Sequence, residues 1–352
     1  MSSVAPQESD GNHPPPLHLI ISTRGDIVDE LAFLPSGRRV VTCSAEEWTR
    51  EGSVKVWNLE NGEQEGTSME YDSQSEIYGL AVTRDGTKIV SGDEGGKIKV
   101  WDAESHRLVK GWTRPEGCFR IAISPDDQLV AVGDRAVAIY TMEGRQVGHS
   151  LGVDEEVRSM AFSPDGKKLA CGTFDDIRVY DVDTGSLILE YHQSPVNDVL
   201  WSRDGSRLFS GSNDETIRCW NSDTGEQIGH PWTGHAQSIL SLSLSPDGLI
   251  LASASYDETV RFWDATTGNP IGQHLQHDKG VDVVRFSPSG EFVASAVGDE
   301  KIYLWRVPWL NSVENRVRTL IRCTSVFILT ALSNRQALQI STRRATACTA
   351  RK

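Results

Sequence analysis

The chain has little with which to cross-link itself. Its six cysteines stand far apart, at positions 43, 118, 171, 219, 323 and 348, and no two form a C-x-x-C pair. Such spacing argues against a disulfide framework and for reduced thiols. No N-x-Ser/Thr acceptor site occurs. Positive charge is short, because 35 Lys and Arg face 49 Asp and Glu, for a formal net charge of −14. A general binder of nucleic acid or of anionic membrane needs basic surface, so neither is expected as a partner. No apolar run approaches the roughly 20 residues that cross a bilayer. Thr324 to Leu332, the most apolar stretch of the tail, is far shorter. Met1 to Pro16 is polar and Pro-rich, without the apolar core of a secretory signal. These absences predict a protein of the cytoplasm, the nucleus or both, not a secreted one. No helical period of useful length precedes residue 308.

In place of these signals there is repetition. One phrase recurs seven times: an alternating apolar strand, a turn, a second strand, a polar turn, and a third strand ending in an aromatic. The first turn carries Gly37, Gly86, Asp127, Gly166, Gly205, Gly248 and Gly290, spaced 49, 41, 39, 39, 43 and 42 residues apart. The closing aromatics are Trp57, Trp101, Tyr140, Tyr180, Trp220, Trp263 and Trp305, spaced 44, 39, 40, 40, 43 and 42 apart. Two independent markers thus keep one period. Runs such as Val281 to Phe286 and Val157 to Phe162 are rich in β-formers and partly alternating. Ser163-Pro164-Asp165-Gly166, Ser245-Pro246-Asp247-Gly248 and Ser287-Pro288-Ser289-Gly290 follow such strands. There Pro presets φ and Gly accepts positive φ, as hairpin turns require.

Three strands per phrase, plus one from the connecting segment, predict four-stranded antiparallel blades. A linear stack of blades would expose two edges, whereas a closed ring protects them. The fold expected is therefore all-β, a seven-bladed β-propeller. Leu17 to Ser22 is placed to close it as the outer strand of the last blade. The domain plan is a disordered segment 1–16, a propeller 17–307 and a basic, weakly ordered tail 308–352. That tail holds eight Lys or Arg and one Glu, against 27 basic and 48 acidic residues elsewhere.

Gly234-His235 with Trp263-Asp264, and Trp101-Asp102, are paired signatures through which residues 17 to 307 resemble the WD-repeat family. In that family a His, a Ser or Thr, an Asp and the Trp of one blade form a hydrogen-bonded tetrad. The resemblance implies three such sets here: His192, Ser210, Asp214 and Trp220; His235, Ser253, Asp257 and Trp263; His277, Ser295, Asp299 and Trp305. All three share the spacing 18, 4 and 6. A buried His, Ser and Trp N–H need partners, and linking them supplies those partners. A hydrolase triad would not be copied three times around a ring. Blade 2 departs from the pattern, with Ser73 at the His position and Gly95 at the Asp position. Blades 1, 3 and 4 depart further, so the half made by blades 5 to 7 is expected to be the more rigid.

Several motifs invite a catalytic or ligand reading and lose it. Gly92-Asp93-Glu94-Gly95-Gly96-Lys97 hints at a phosphate loop, but Ile98 follows the Lys and two carboxylates would repel phosphate. It reads as a turn. His274 and His277 lack a third metal ligand, so no metal and no cofactor is expected. A propeller enzyme would need His or carboxylate clusters at inner-strand starts, and none is read there.

The resemblance also implies that the loops before the first and third strands of each blade share one rim, where partner proteins bind. Rim candidates are Glu46, Glu47, Trp48, Glu76, Glu116, Asp154, Glu155, Glu156, Phe174, Asn213 and Tyr256, with Asp26, Asp29, Glu30, Glu51, Asp93, Glu94, Asp175 and Asp176 adding charge. The function expected is a non-catalytic scaffold for other proteins, including basic peptides on an acidic rim, with the propeller monomeric inside larger assemblies. The alternative is a regulatory or substrate-receptor subunit, as in a ubiquitin ligase. Against it, Trp101-Asp102-Ala103-Glu104 and Trp263-Asp264-Ala265-Thr266 both lack the Arg of a Trp-Asp-x-Arg motif.

Overall fold

The repeat folds from its turns outward. In Ser163-Pro164-Asp165-Gly166 the Gly166 N–H donates to the Ser163 carbonyl at 2.8 Å, and the Ser163 hydroxyl donates to Asp165 at 2.6 Å. Gly166 holds φ at +74°, which a side chain would resist. Blade 3 puts Asp127 at this point with φ +60°. Its carboxylate offsets the strain by accepting the Arg84 and Asp85 N–H groups of the preceding blade, at 2.7 and 3.0 Å.

The computed structural model describes residues 15–23, 26–46, 52–71, 75–153, 155–192 and 195–307. The expectations for residues before 15 and for the tail 308–352 lie outside them. Among the described residues the strands form seven antiparallel sheets and there is no helix. Blade 1 runs Asp26–Phe33, Arg39–Glu46, Gly52–Asn58 and Gln64–Glu70. The inner strands of blades 2 to 7 are Ile77–Val82, Arg120–Ile123, Val157–Phe162, Val196–Trp201, Ile239–Leu244 and Val281–Phe286. Each inner strand touches that of the next blade, and Asp26–Phe33 also touches Val281–Phe286, so the ring closes. The N-terminal strand makes the clasp, with Leu17–Ser22 pairing against Lys301–Arg306 and Ile21 opposite Ile302. The expected seven-bladed propeller is the fold observed.

Two details correct the reading. Pro15 is buried and the Pro16 carbonyl accepts the Arg306 N–H at 3.1 Å, so blade 7 begins before residue 17. Blade 5 forms three full strands, and its fourth shrinks to the bridges Ile217–Trp232 and Trp220–Gln227. The cause is local: Gly229 takes positive φ and Pro231 has no N–H to pair.

The core lies between blades. Second strands such as Lys168–Thr173 are buried almost throughout, while the outer strand Leu108–Thr113 is nearly all exposed. Trp57 of blade 1 packs in one cluster with Val283, Ala294 and Ile302 of blade 7. Trp220 and Trp263 are buried, whereas Trp305 is half-buried. Close approach sets the residue type at Gly92, where a Cβ would lie 2.1 Å from the Cys118 sulfur of the neighbouring blade. Cys43, Cys118, Cys171 and Cys219 are free and buried, and burial pushes the Cys219 thiol up to about 11. These are packing groups, not reactive thiolates.

Candidate binding face and central channel

Blade 6 holds a complete tetrad. Trp263 donates its indole N–H to the Ser253 hydroxyl at 2.8 Å, and that hydroxyl lies 2.6 Å from His235 Nε2. His235 Nδ1 lies 2.8 Å from Asp257, which also accepts the Ala236 N–H at 2.9 Å and the Thr259 hydroxyl at 2.6 Å. A carboxylate only accepts, so the His235 proton is on Nδ1 and Ser253 donates to Nε2. Burial resists ionisation of Asp257, but hydrogen bonds from His235 and Thr259 outweigh it and hold the carboxyl well below its usual range.

Blade 5 shows part of its set among the described residues, and blade 7 departs from the pattern. In blade 5 Trp220 donates to Ser210 at 2.9 Å, while Asp214 accepts from Thr216 at 2.6 Å and from Arg218 at 3.1 Å. His192 ends the strand Leu187–His192, and its side chain lies outside the described residues. In blade 7 Trp305 donates to Ser295 at 3.1 Å, and His277 Nε2 is 3.3 Å from the same hydroxyl. The expected His277–Asp299 link is not formed, and His277 Nδ1 and Asp299 Oδ1 are both buried without partners. Asp299 is instead drawn to the Tyr303 hydroxyl at 2.7 Å and to Lys301 at 2.8 Å. Blades 5 and 6 carry Arg218 and Arg261 at the Tyr303 position. Burial pushes His277 down to about 4, against the pull of Asp299 and Asp278.

Blade 2 rebuilds the motif by another route. Tyr71 stands in for the missing His, its hydroxyl 2.8 Å from Ser91, which accepts the Trp101 N–H at 2.8 Å. Ser91→Ala leaves both donors unsatisfied. We expect a loss of roughly 2 kcal/mol, read as a lower urea midpoint. Blade 1 links Trp57 to Thr42 at 2.9 Å, and blade 4 links Thr173 to Asp176 at 2.8 Å and Asp176 to Arg178 at 3.0 Å. Blade 3 has Val130, Trp112 and Tyr140 at the Ser, His and Trp positions, and packs Trp112 against Tyr140 with ring centroids 5.7 Å apart.

Asp26, Asp93 and Asp176 are buried, so they do not belong to the solvated rim. Asp26 is tied to Lys55. Glu116 is exposed and pairs with Arg114 at 3.1 Å, Glu156 and Asp175 are exposed, and Glu76 and Glu155 are half-buried. Glu76 accepts the Tyr78 hydroxyl, and the Tyr78 ring stacks on Phe119 at 5.1 Å. Phe174 and Tyr256 stand out at 47% and 52% exposure, large for aromatic rings. Asn213 is exposed and accepts from Asn197 at 2.6 Å. Glu46 ends the strand Arg39–Glu46, but its side chain, like Glu47, Trp48, Glu51 and Asp154, lies outside the described residues.

Reading along the chain missed a second set of residues. Six of the seven inner strands break register against the second strand, at Asp29, Tyr78, Arg158, Asn197, Leu240 and Asp282. Such bulges re-aim a side chain. Each lies eight residues before its turn glycine, and Phe119 holds the same place in blade 3. Asp29, Arg158, Asn197, Leu240 and Asp282 of this set, with Leu80 and Arg120 from blades 2 and 3, line the central channel, a cavity of about 360 Å³ walled by all seven inner strands. Carboxylates therefore do cluster at inner-strand starts, contrary to the sequence reading. Burial is the main force that pushes Asp29 up to about 7, with Arg120 opposing and Glu76, Asp282 and Glu30 adding. Burial alone pushes Asp282 up to about 6.

Hydrogen bonds also stitch the blades together across the channel wall. Ser159 accepts the Val199 N–H at 3.1 Å, Asp198 accepts that of Leu242 at 2.7 Å, and Ser241 that of Val284 at 3.3 Å. They satisfy donors that an edge strand would leave open. Arg285 closes the ring onto Glu30 at 2.7 Å. Among the described residues no group of three His, Cys, Asp or Glu is placed to hold a metal ion.

Six segments match the family described as WD domain, G-beta repeat: 16–58, 66–102, 142–179, 185–221, 225–264 and 268–306. The chain belongs to the WD-repeat family. The longest unmatched stretch between these segments, 103–141, holds the first three strands of blade 3 and the positions where Val130, Trp112 and Tyr140 replace the tetrad residues. WD-repeat proteins are typically protein-interaction scaffolds or regulatory subunits and generally not catalysts. The chain is 30% identical over 158 residues to WD repeat-containing protein SL1-17 of Schistosoma mansoni, 43% of this chain and 52% of that one. It is 28% identical over 145 residues to small ribosomal subunit protein RACK1y of Oryza sativa subsp. japonica, 38% of this chain and 43% of that one. It is 36% identical over 128 residues to apoptotic protease-activating factor 1 of Mus musculus, 35% of this chain and 10% of that one. The chain thus spans about half or less of these relatives.

Proposed function

We propose that this WD-repeat protein is a non-catalytic intracellular platform that holds basic segments of partner proteins against its acidic rim, as a monomeric propeller inside larger assemblies. The observation that carries this reading is the pairing of exposed aromatics with exposed acids. Phe174 and Tyr256 project at 47% and 52% exposure on the same loops that carry Asp175 and Glu258. Aromatic anchors ringed by charge are what a peptide hot spot needs. One relative, RACK1y, is by its name part of a small ribosomal subunit, and membership of an assembly is in keeping with such a role.

An Arg-rich peptide followed by fluorescence anisotropy tests this. Raising NaCl from about 50 to about 500 mM weakens its binding at least about tenfold, because exposed pairs are screened. Tyr256→Ala weakens it by a similar factor, as loss of an aromatic anchor does. Affinity indifferent to both changes removes the rim from consideration.

A further inference from the structure

Four charged side chains in the central channel form no ion pair among the described residues, although Arg120 acts on Asp29 from a distance. Asp29 and Asp282 stand on neighbouring bulges of blades 1 and 7, and no hydrogen bond or ion pair engages either. Further round the ring, Arg158 donates to Asn197 at 2.9 Å and lies 5.2 Å from the Phe174 ring, and its Nε is buried without a partner. Arg120 donates only to the carbonyls of Phe119, at 2.8 Å, and Arg158. The remaining ionisable groups of this wall are engaged, Glu30 with Arg285 and Asp198 with Ser159 at 2.6 Å.

Two acids and two arginines that form no direct ion pair thus line one cavity of about 360 Å³. That size falls within the roughly 300–1,000 Å³ of small-molecule sites. We propose that the channel binds a small zwitterion, its ammonium group between Asp29 and Asp282 and its carboxylate on Arg120 and Arg158. A lone cation would leave both arginines unanswered in a partly desolvated wall, and a lone anion would leave both acids so. A molecule carrying both charges answers all four. Burial lifts the Asp29 and Asp282 carboxyls, and no protein cation fully relieves that cost, so an ammonium group gains by entering. Arginine also takes a carboxylate in a forked, two-bond geometry that few other side chains offer.

The site adjoins the rim where Arg158 meets Phe174, so its test uses no peptide and reads small molecules alone. Glycine, β-alanine, γ-aminobutyrate, δ-aminovalerate and ε-aminocaproate form a series with growing distance between the two charges. Calorimetric titration of the full chain should single out one member. That member should bind at least about tenfold more tightly than butylamine or butyrate, which each carry one charge. Asp282→Asn and Arg158→Gln should each cost it about tenfold. Asp282 makes no side-chain hydrogen bond or ion pair among the described residues, so its variant keeps the test valid even if loss of Arg158 disturbs Asn197. Absence of binding by every member overturns the proposal. So does butylamine binding as tightly as the best zwitterion with Arg158→Gln without effect, which marks a site for cations only.

Discussion

Asp257→Ala should lower the unfolding free energy by about 3 kcal/mol, and Asp299→Ala by less than about 1 kcal/mol, though both stand six residues before a closing Trp. Asp257 accepts from His235, Ala236 and Thr259 with only 7% of its side chain exposed. Its removal strands a buried imidazole N–H and a buried hydroxyl. Asp299 is bonded to Tyr303 and to Lys301, whose side chain is 43% exposed, and one of its own oxygens is already unsatisfied. Removing it exchanges weak contacts for water. Urea titrations followed by tryptophan fluorescence measure both, and equal losses would show that blade 7 has the blade 6 network after all. The contrast has a pH signature. Asp257 is depressed below the 3.8 of the unfolded chain, so its contribution is complete above that value. It is lost as pH falls below about 4, and the gap between the two variants narrows there.

That contrast shows where reading the chain stops. His277, Ser295, Asp299 and Trp305 share the 18, 4 and 6 spacing of blade 6. Spacing places backbones, and it did place the seven blades and the clasp. It does not choose rotamers, and Tyr303 competes for Asp299 from two residues before the Trp. Tyr71 shows the reverse, since a side chain outside the His column reaches the same hydroxyl because a phenol is longer. Five of the channel residues, Asp29, Arg158, Asn197, Leu240 and Asp282, stand in a column eight residues before the turn. They carry no motif, because Asp, Tyr, Phe, Arg, Asn and Leu share the position. Only the ring sets blade 7 beside blade 1, and so Asp282 beside Asp29. What the inner strands share is geometry, and what differs between them is charge, so the blades repeat while the channel does not.

Asp29→Asn should stabilise the protein by roughly 2 kcal/mol near pH 8, and by less than half of that near pH 5. Asp29 titrates at about 7 when folded and near 3.8 when unfolded. Above 7 both states are ionised and the folded state bears the whole cost of a buried carboxylate. As pH falls from there toward 4, the folded state takes up a proton that the unfolded state does not, and stability rises. Asn keeps the shape and never ionises, so its advantage is greatest where Asp29 is charged. Thermal melts at both pH values read this directly, and a variant no more stable at pH 8 than at pH 5 would show that Asp29 is already paired. A carboxylate that weakens its own fold near neutral pH has no packing reason to be there. It has a binding reason if the channel takes an ammonium group. Asp29→Asn should then gain stability and lose the zwitterion together, which separates a residue held for a ligand from one held for the fold.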